Sequence, residues 1–296
     1  MSSPPLVSVV ILTYNREDLL KETLRSVLSQ THEHLEILVI DNCSEYDIET
    51  SLKEFNDQRI VIHRHANGGL LAVNRNFGVS KAKGDFIAFC DDDDLWQPEK
   101  ITRQLKAFSV RPEILVVGTN YEQFPRRRRN GLYMFSDRNL GFLQLAKART
   151  GIPLSSSLTR KEVFDTLGHF DEDPNILTME DLDFWLRVLK HKDYSIHVLC
   201  APLLKYRIHE ANMFAEVNSN QSPYGKLIRI FSKHSEQLEP LIASISSRRE
   251  YLDRLHSTSS RYYNRSISAM GLLGAKDISF KDKISLMVKR AISDFF

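Results

Sequence analysis

Two groups of acidic residues have the types and spacing to do chemistry. The first is Asp91-Asp92-Asp93-Asp94, four carboxylates in succession. Carboxylates packed this tightly repel one another, and a cation or a donor-rich ligand is the natural means of holding them together. The second is Glu180-Asp181, heading the run Leu182-Asp183-Phe184-Trp185-Leu186-Arg187. In a first helical turn the helix dipole favours an ionised carboxylate, which suits a base that must be ionised near neutral pH. Most acidic runs are solvated turns, and acidic enrichment at helix starts is common. A lone histidine, His209, follows an apolar run; most such residues are structural, but imidazole also ligates metals and contacts phosphates.

The elements around these residues favour the chemical reading. Phe86 to Cys90 is a short apolar run after Gly84, the pattern of a strand buried on both faces. A buried strand that ends in carboxylates places them at the carboxyl edge of a sheet, where open α/β folds bind ligands. Pro98 opens a helix with Ile101, Leu105 and Phe108 on one face. Upstream, Val7 to Leu12 reads as a central strand broken by Thr13-Tyr14-Asn15-Arg16, with Asn15 capping a helix from Glu17 to Gln30. Glu36 to Ile40 is a second strand, ending in Asp41-Asn42, and Ile60 to His63 a third. Between them lies a helix carrying Ile48, Leu52 and Phe55. Asn67-Gly68-Gly69 turns into a helix that holds Asn74, Arg75 and Asn76. Alternating strands and helices predict a parallel sheet with right-handed crossovers. The ends at Thr13 to Asn15, Asp41-Asn42 and Asp91 to Asp94 then share one nucleotide-sized cleft.

Farther on, Glu113 to Gly118 reads as a fifth strand and 121–138 as a polar loop carrying Arg126 to Arg129. Those arginines suit a solvated face, a phosphate-bearing acceptor or an anionic membrane. A short helix over Leu140 to Ala148, an extended stretch over Ile152 to Arg160, and a helix from Lys161 to Leu167 closed by Gly168 follow. In the helix begun by Glu180, residues Leu182, Trp185, Leu186 and Leu189 must face the core.

Composition sets the outer bounds. The chain has 296 residues, 42% of them hydrophobic, enough for one large α/β domain with an appendage or for two smaller domains. Lys and Arg number 40 against 38 Asp and Glu, so overall charge gives no argument for nucleic acid. There is no apolar run long enough to span a membrane and no signal-peptide pattern. Cys43, Cys90 and Cys200 lie far apart with no metal spacing, as expected of reduced thiols in a cytoplasmic protein. Beyond Asn212 the pattern changes, so a catalytic domain over 1–212 and a helical extension over 213–296 are expected. In the last stretch, 279–296, Ile284, Met287, Val288, Ala291 and Phe295 line one side opposite Lys283, Lys289 and Arg290. That helix suits the surface of an anionic membrane, or packing on the catalytic domain or a second copy of the chain.

The motifs together resemble family-2 inverting glycosyltransferases of the GT-A fold. The resemblance is carried by Val7 to Arg16, Glu36 to Asp41, Arg75-Asn76-Phe77-Gly78, Phe89 to Pro98, Ser156 to Asp171, Glu180-Asp181 and Tyr206-Arg207-Ile208-His209. It implies a mixed, mainly parallel central sheet flanked by helices. It implies transfer of a sugar from a nucleotide-diphospho-sugar, UDP-linked, to a glycan or lipid-linked hydroxyl, with Mn²⁺ or Mg²⁺. Donor-binding residues would be Thr13, Tyr14, Asn15, Arg16, Asp41, Asn74, Arg75, Asp91 and Asp92. Within these, Tyr14 would stack on the base, Asp41 accept the uracil N–H and Asp91 meet the ribose. Asp93 and His209 would serve the metal, although four successive aspartates allow a shifted register. Asp181 would be the base, with Glu180 the next candidate, and Ser156, Ser157 and Trp185 would lie on the acceptor side. The stretch from Asn67 to Asn76 is one residue longer than the usual spacing, so which asparagine meets the nucleotide stays open. Two rivals remain. A sugar-nucleotide pyrophosphorylase would need a Gly-rich basic loop after the first strand, and Thr13 to Asp18 is not one. A non-catalytic nucleotide-sugar-binding subunit would have no use for Asp181.

Overall fold

The computed structural model describes residues 3–125, 137–142, 145, 152–191, 195–208, 223–234 and 236. Its first half is a set of four parallel strands. β1 (Val7–Thr13) lies between β2 (Leu35–Asp41) and β4 (Phe86–Asp91), with β3 (Ile60–Arg64) outside β2. β1 and β4 are covered on both faces, which is why they read as unbroken apolar runs rather than alternating ones. Their register sets Thr13 beside Asp41 and Leu12 beside Asp91, so the three polar strand ends do share one edge.

The helices divide the core into two layers. α1 (Glu17–Leu28) buries Leu20, Leu24 and Val27 on one face of the sheet, and α4 (Lys100–Val110) adds Ile101 and Phe108 there. On the other face lie α3 (Leu71–Lys81), α5 (Glu162–Leu167) and α6 (Glu180–Lys190). A Cβ on Gly78 would collide with the Val10 side chain, so glycine is what lets α3 approach β1 closely. That approach brings Arg75 to the strand ends. Between β2 and β3, α2 (Ile48–Leu52) runs on into a short 3-10 turn that ends at Phe55.

The second half departs from a simple parallel order. β8 (Leu158–Arg160) inserts antiparallel between β4 and β6 (Val116–Phe124). β9 (Ile196–Arg207) runs parallel to β6 and takes β5 (Leu95–Trp96) and β7 (Arg138–Leu140) antiparallel. The sheet is therefore mixed, and the all-parallel order of crossovers holds only through β4. β6 extends to Phe124 rather than ending at Gly118, because register shifts at Thr119 to Tyr121 break its alternation. The expected loop thus begins as strand, and Arg126 to Arg129 lie outside the described residues. Leu140 belongs to β7, Gly141 follows it outside any helix, and only residues 142 and 145 of the remainder of the expected helix are described. The stretch after Ile152 is a 3-10 turn, Leu154–Ser156, before β8 begins. α4 starts at Lys100, after Pro98, since Leu95 and Trp96 first pair with β9.

Beyond the expected boundary at 212, α7 (Pro223–Lys233) packs on the segment before α6. No helix of the described residues is long and apolar enough to cross a membrane. The stretch 279–296 lies outside the described residues, as does the rest of the expected extension apart from 223–234 and 236.

Candidate active site

A cavity of about 350 Å³ opens at the carboxyl edge of β1 and β4. Asp91, Asp92, Asp93, Arg16 and Arg75 line one part, Glu180, Asp181 and Thr178 another, and Tyr121, Tyr206, Ile152, Pro153 and Leu154 much of the remainder. The two acidic groups of the sequence thus meet in one place.

The four aspartates are not equivalent, and the protein supplies cations to hold them. Arg75 NH2 lies 3.5 Å from Asp91 Oδ1. Arg16 NH1 donates to Asp92 Oδ1 at 3.1 Å and to Asp93 Oδ2 at 3.0 Å. Asp94 is sealed, its Oδ1 accepting the Arg207 N–H at 3.0 Å, while Arg207 Nε donates to the Asp93 carbonyl at 2.7 Å. Burial pushes the Asp92 carboxyl up to about 7, with Arg16 opposing. Burial, then the charges of Asp91 and Asp93, raise Asp94 well above the carboxylate range. Asp94 is therefore a structural member of the run, held under the turn. Asp91 is also raised by burial, although its side chain keeps 42% of its surface open to the cavity.

Ser155 was not legible as a site residue. Its hydroxyl accepts the Asp91 N–H at 3.0 Å, and its carbonyl accepts the Trp96 indole N–H at 2.9 Å. Its neighbours Ser156 and Ser157, expected on the acceptor side, are fully buried and donate to the carbonyls of Pro153 and Leu154. They fix the 3-10 turn whose Pro153 and Leu154 form the wall. Trp185 is likewise sealed in the core beside Phe184, so no acceptor reaches it in this structure. The aromatic wall is Tyr121 with Tyr206, ring centroids 5.8 Å apart. Tyr206 opens the motif Tyr206-Arg207-Ile208-His209, whereas Tyr121 carries no local signal, because the apolar run that predicts its strand ends at Gly118.

α6 delivers the second acidic group. Glu180 is 2% exposed and pairs with Arg75 NH1, so one guanidinium serves both the acidic turn and the helix start. Burial opposes the Arg75 charge, but Glu180, Asp91 and Asp181 outweigh it and the guanidinium is held more firmly protonated. Asp181 Oδ1 accepts from its own Leu182 N–H at 2.7 Å. Its carboxyl is raised to about 7 by burial and then by the Glu180 charge, with Arg75 opposing.

The residues expected to meet the base and ribose lie at the same strand ends. Asn15 does not cap α1; it takes φ 51°, its N–H donates to Ser44 Oγ, and its Oδ1 accepts from Glu45 N–H. Arg16 occupies the cap position. Asn15 therefore ties the first strand end to the segment after the second. Asp41 is fully buried, Oδ1 accepting from Ser44 N–H and Oδ2 3.9 Å from Arg64 Nε. Thr13 is buried beside it, and Tyr14 is 50% exposed at the rim. Asn74 is buried with Oδ1 2.7 Å from His65 Nδ1, and His65 stacks on Phe77. His209 lies outside the described residues.

A divalent cation fits this site in one form only. Among the described residues no three His, Cys, Asp or Glu side chains are placed to hold a metal. The donors present are carboxylate oxygens on a cavity wall, which suit Mg²⁺ or Mn²⁺ bound through one or two carboxylates and completed by substrate phosphates. Asp93, with Asp91 beside it, can supply that share.

A parallel strand set whose acidic turn shares one cavity with a carboxylate helix is the arrangement that the resemblance to GT-A glycosyltransferases implies. S. aureus TarS, crystallised with UDP-GlcNAc, has the same fold, with a TM-score of 0.60 and 17% identity over 98% of this chain and 80% of that one. Residues 8–168 match the model of Glycosyl transferase family 2, and the chain belongs to that family. TuaG of Bacillus subtilis, named as a putative teichuronic acid biosynthesis glycosyltransferase, is 31% identical over 69% of this chain and 79% of its own. YwdF of the same organism, an uncharacterized glycosyltransferase, is 31% identical over 77% of this chain and 84% of its own.

Proposed function

We propose that this glycosyltransferase is inverting and metal-dependent, and that it moves a sugar from a UDP-linked donor to a hydroxyl in cell-surface polysaccharide or glycolipid assembly. The observation that carries the reading is Asp181, a carboxyl tuned to about 7 that faces the acidic turn across the cavity. Glu180 and Asp91 share Arg75, while Asp92 and Asp93 share Arg16. Asp181 is bonded within its own helix, which leaves it suited to take a proton.

The acceptor oxygen attacks the anomeric carbon from the face opposite the diphosphate. As that bond forms, the carbon–oxygen bond to the β-phosphate breaks and the diphosphate leaves with the electron pair. The hydroxyl proton passes to the Asp181 carboxylate, and the anomeric configuration inverts. Mn²⁺ or Mg²⁺ at Asp93 would supply Lewis-acid stabilisation of the leaving diphosphate. Arg16 adds a fixed positive charge on the same wall. The aromatic wall of Tyr121 and Tyr206 suits the apolar face of a sugar ring. The name of TuaG supports a polysaccharide product, and the UDP-GlcNAc bound to TarS supports a uridine donor.

A thermal-shift panel of UDP-, dTDP- and GDP-sugars, each with and without Mn²⁺, tests the donor. UDP-sugars should raise the melting temperature most, and chiefly with Mn²⁺. The anomeric coupling in the NMR spectrum of the product tests inversion; retention of the donor configuration would overturn it.

A further inference from the structure

α7 lies beyond the segment that matches the family model, and the reaction as derived does not use it. Its polar contacts nevertheless converge on one place. Lys226 Nζ donates to the Leu177 carbonyl at 2.8 Å, Arg229 pairs with Asp173, and Lys233 pairs with Asp171. Just past the helix, His234 Nε2 lies 3.1 Å from Asp183 Oδ1. One helix thus grips both the segment that leads into α6 and the first turn of α6.

Burial ranks these contacts. Arg229 is 52% exposed and Lys233 34%, and exposed pairs contribute little. His234 and Asp183 are each 3% exposed, so neither can trade its partner for water. Burial works against ionisation of Asp183, but hydrogen bonds from His234 and Arg187 outweigh it and hold the carboxyl below its ordinary range. Arg187 in turn donates to the Leu167 and His169 carbonyls, anchoring the far side.

The first turn of α6 carries three carboxylates. Glu180 and Asp183 are three residues apart and share a face, which is buried. Arg75 holds the first, and His234 with Arg187 holds the second. Asp181 lies about 100° around the helix from Glu180, on the cavity side. Pinning its two flanking neighbours fixes the rotation of the turn, and so fixes where Asp181 points. Upstream, Thr178 lines the same cavity at φ 73°, a conformation costly for a β-branched residue. Such a turn persists only where its surroundings over-determine it. The Lys226 bond to the adjacent Leu177 carbonyl does part of that.

We propose that α7 and His234 form a clamp that positions Asp181. His234 is a positioning residue acting through Asp183, and Lys226 one acting through the turn at 177–178. The inference rests on Asp181 being the base. It makes the start of the C-terminal extension, through 234, part of the catalytic unit, so a unit ending at 212 would strip Asp183 of its buried partner.

The test uses the full chain and three variants. His234→Leu fills a similar volume without a donor, His234→Gln restores an N–H donor, and Asp181→Asn is the reference for loss of the base. Hydrogen exchange is read on peptides over 171–190 and over β1 and β4. UDP affinity is read with Mn²⁺, and turnover as UDP release from UDP-GlcNAc or from the UDP-sugar with the largest thermal shift. For His234→Leu, exchange around α6 should quicken and kcat fall by about tenfold or more, a misplaced base being that costly, with UDP affinity unchanged. His234→Gln should recover much of both. Unchanged exchange and kcat in His234→Leu, with kcat lost in Asp181→Asn, would overturn the clamp and leave the base intact. Equal losses in the Leu and Gln variants would overturn the role of the hydrogen bond. Full turnover by Asp181→Asn would instead remove the base on which the clamp depends. If His234→Leu does not fold, Lys226→Met reads the same segment, with faster exchange and lower kcat expected and no change in either contradicting the clamp.

Discussion

Arg75 holds Glu180 and Asp91 at once, NH1 on the one and NH2 on the other. The two carboxylates lie on separate elements, α6 and the end of β4, and α3 supplies the cation between them. The spacing of the acidic turn to the carboxylate helix is therefore set by a side chain 7% exposed, held where Gly78 lets α3 meet β1.

Arg75→Met should leave Glu180 as an uncompensated buried charge and destabilise the protein by about 3–5 kcal/mol. Adding Glu180→Gln should recover part of that loss, because the two residues act as one unit. Urea unfolding of the single and double variants measures the coupling, and strictly additive losses would contradict it.

Asp93→Ala should abolish the Mn²⁺ dependence of UDP binding while leaving the fold intact. The described residues offer the ion too few ligands without the diphosphate, so Mn²⁺ alone should bind weakly even to the natural protein. Calorimetric titrations of Mn²⁺, of UDP and of both together check this. UDP binding by Asp93→Ala with unchanged Mn²⁺ dependence would place the ion elsewhere.

Much of this site was legible because strands β1, β2 and β4 are buried on both faces and end in polar residues at matched register. The acidic turn and Glu180-Asp181 each had a local signature. What was not legible depends on contacts between distant segments. Ser155 reaches Asp91 across 64 residues, and Arg75 reaches Glu180 across 105. Neither separation leaves a periodicity to read. β8 is too short to announce that it inserts beside β4. Ser156 and Ser157 are expected on the acceptor side, yet their hydroxyls turn inward to satisfy the 3-10 turn. Asn15 has the chemistry of a cap but bridges two strand ends instead, a choice that local sequence does not encode.

The raised carboxyl of Asp181, at about 7, has two consequences of opposite sign. A base works ionised, so turnover at limiting donor should rise with pH and level off above about 7. Stability should run the other way. The unfolded carboxyl ionises near about 4, and the folded protein favours the protonated form until about 7. The stability this preference contributes is present at low pH and lost as pH climbs through that window. Relative to the natural protein, Asp181→Asn should gain up to about 4 kcal/mol at pH 8 and little at pH 4, the free energy of moving a carboxyl from about 4 to about 7. Unfolding measured at both values checks it, and a difference that does not grow with pH would contradict the assignment.

The most direct test of the account is turnover by Asp181→Asn with the UDP-sugar and acceptor that the natural protein uses. Asparagine keeps the shape but cannot take the acceptor proton. The account predicts that kcat falls by about 10² to 10⁴ while UDP affinity with Mn²⁺ is unchanged. Transfer at a near-normal rate by this variant would contradict it and pass the role to another group in the cavity, Glu180 first.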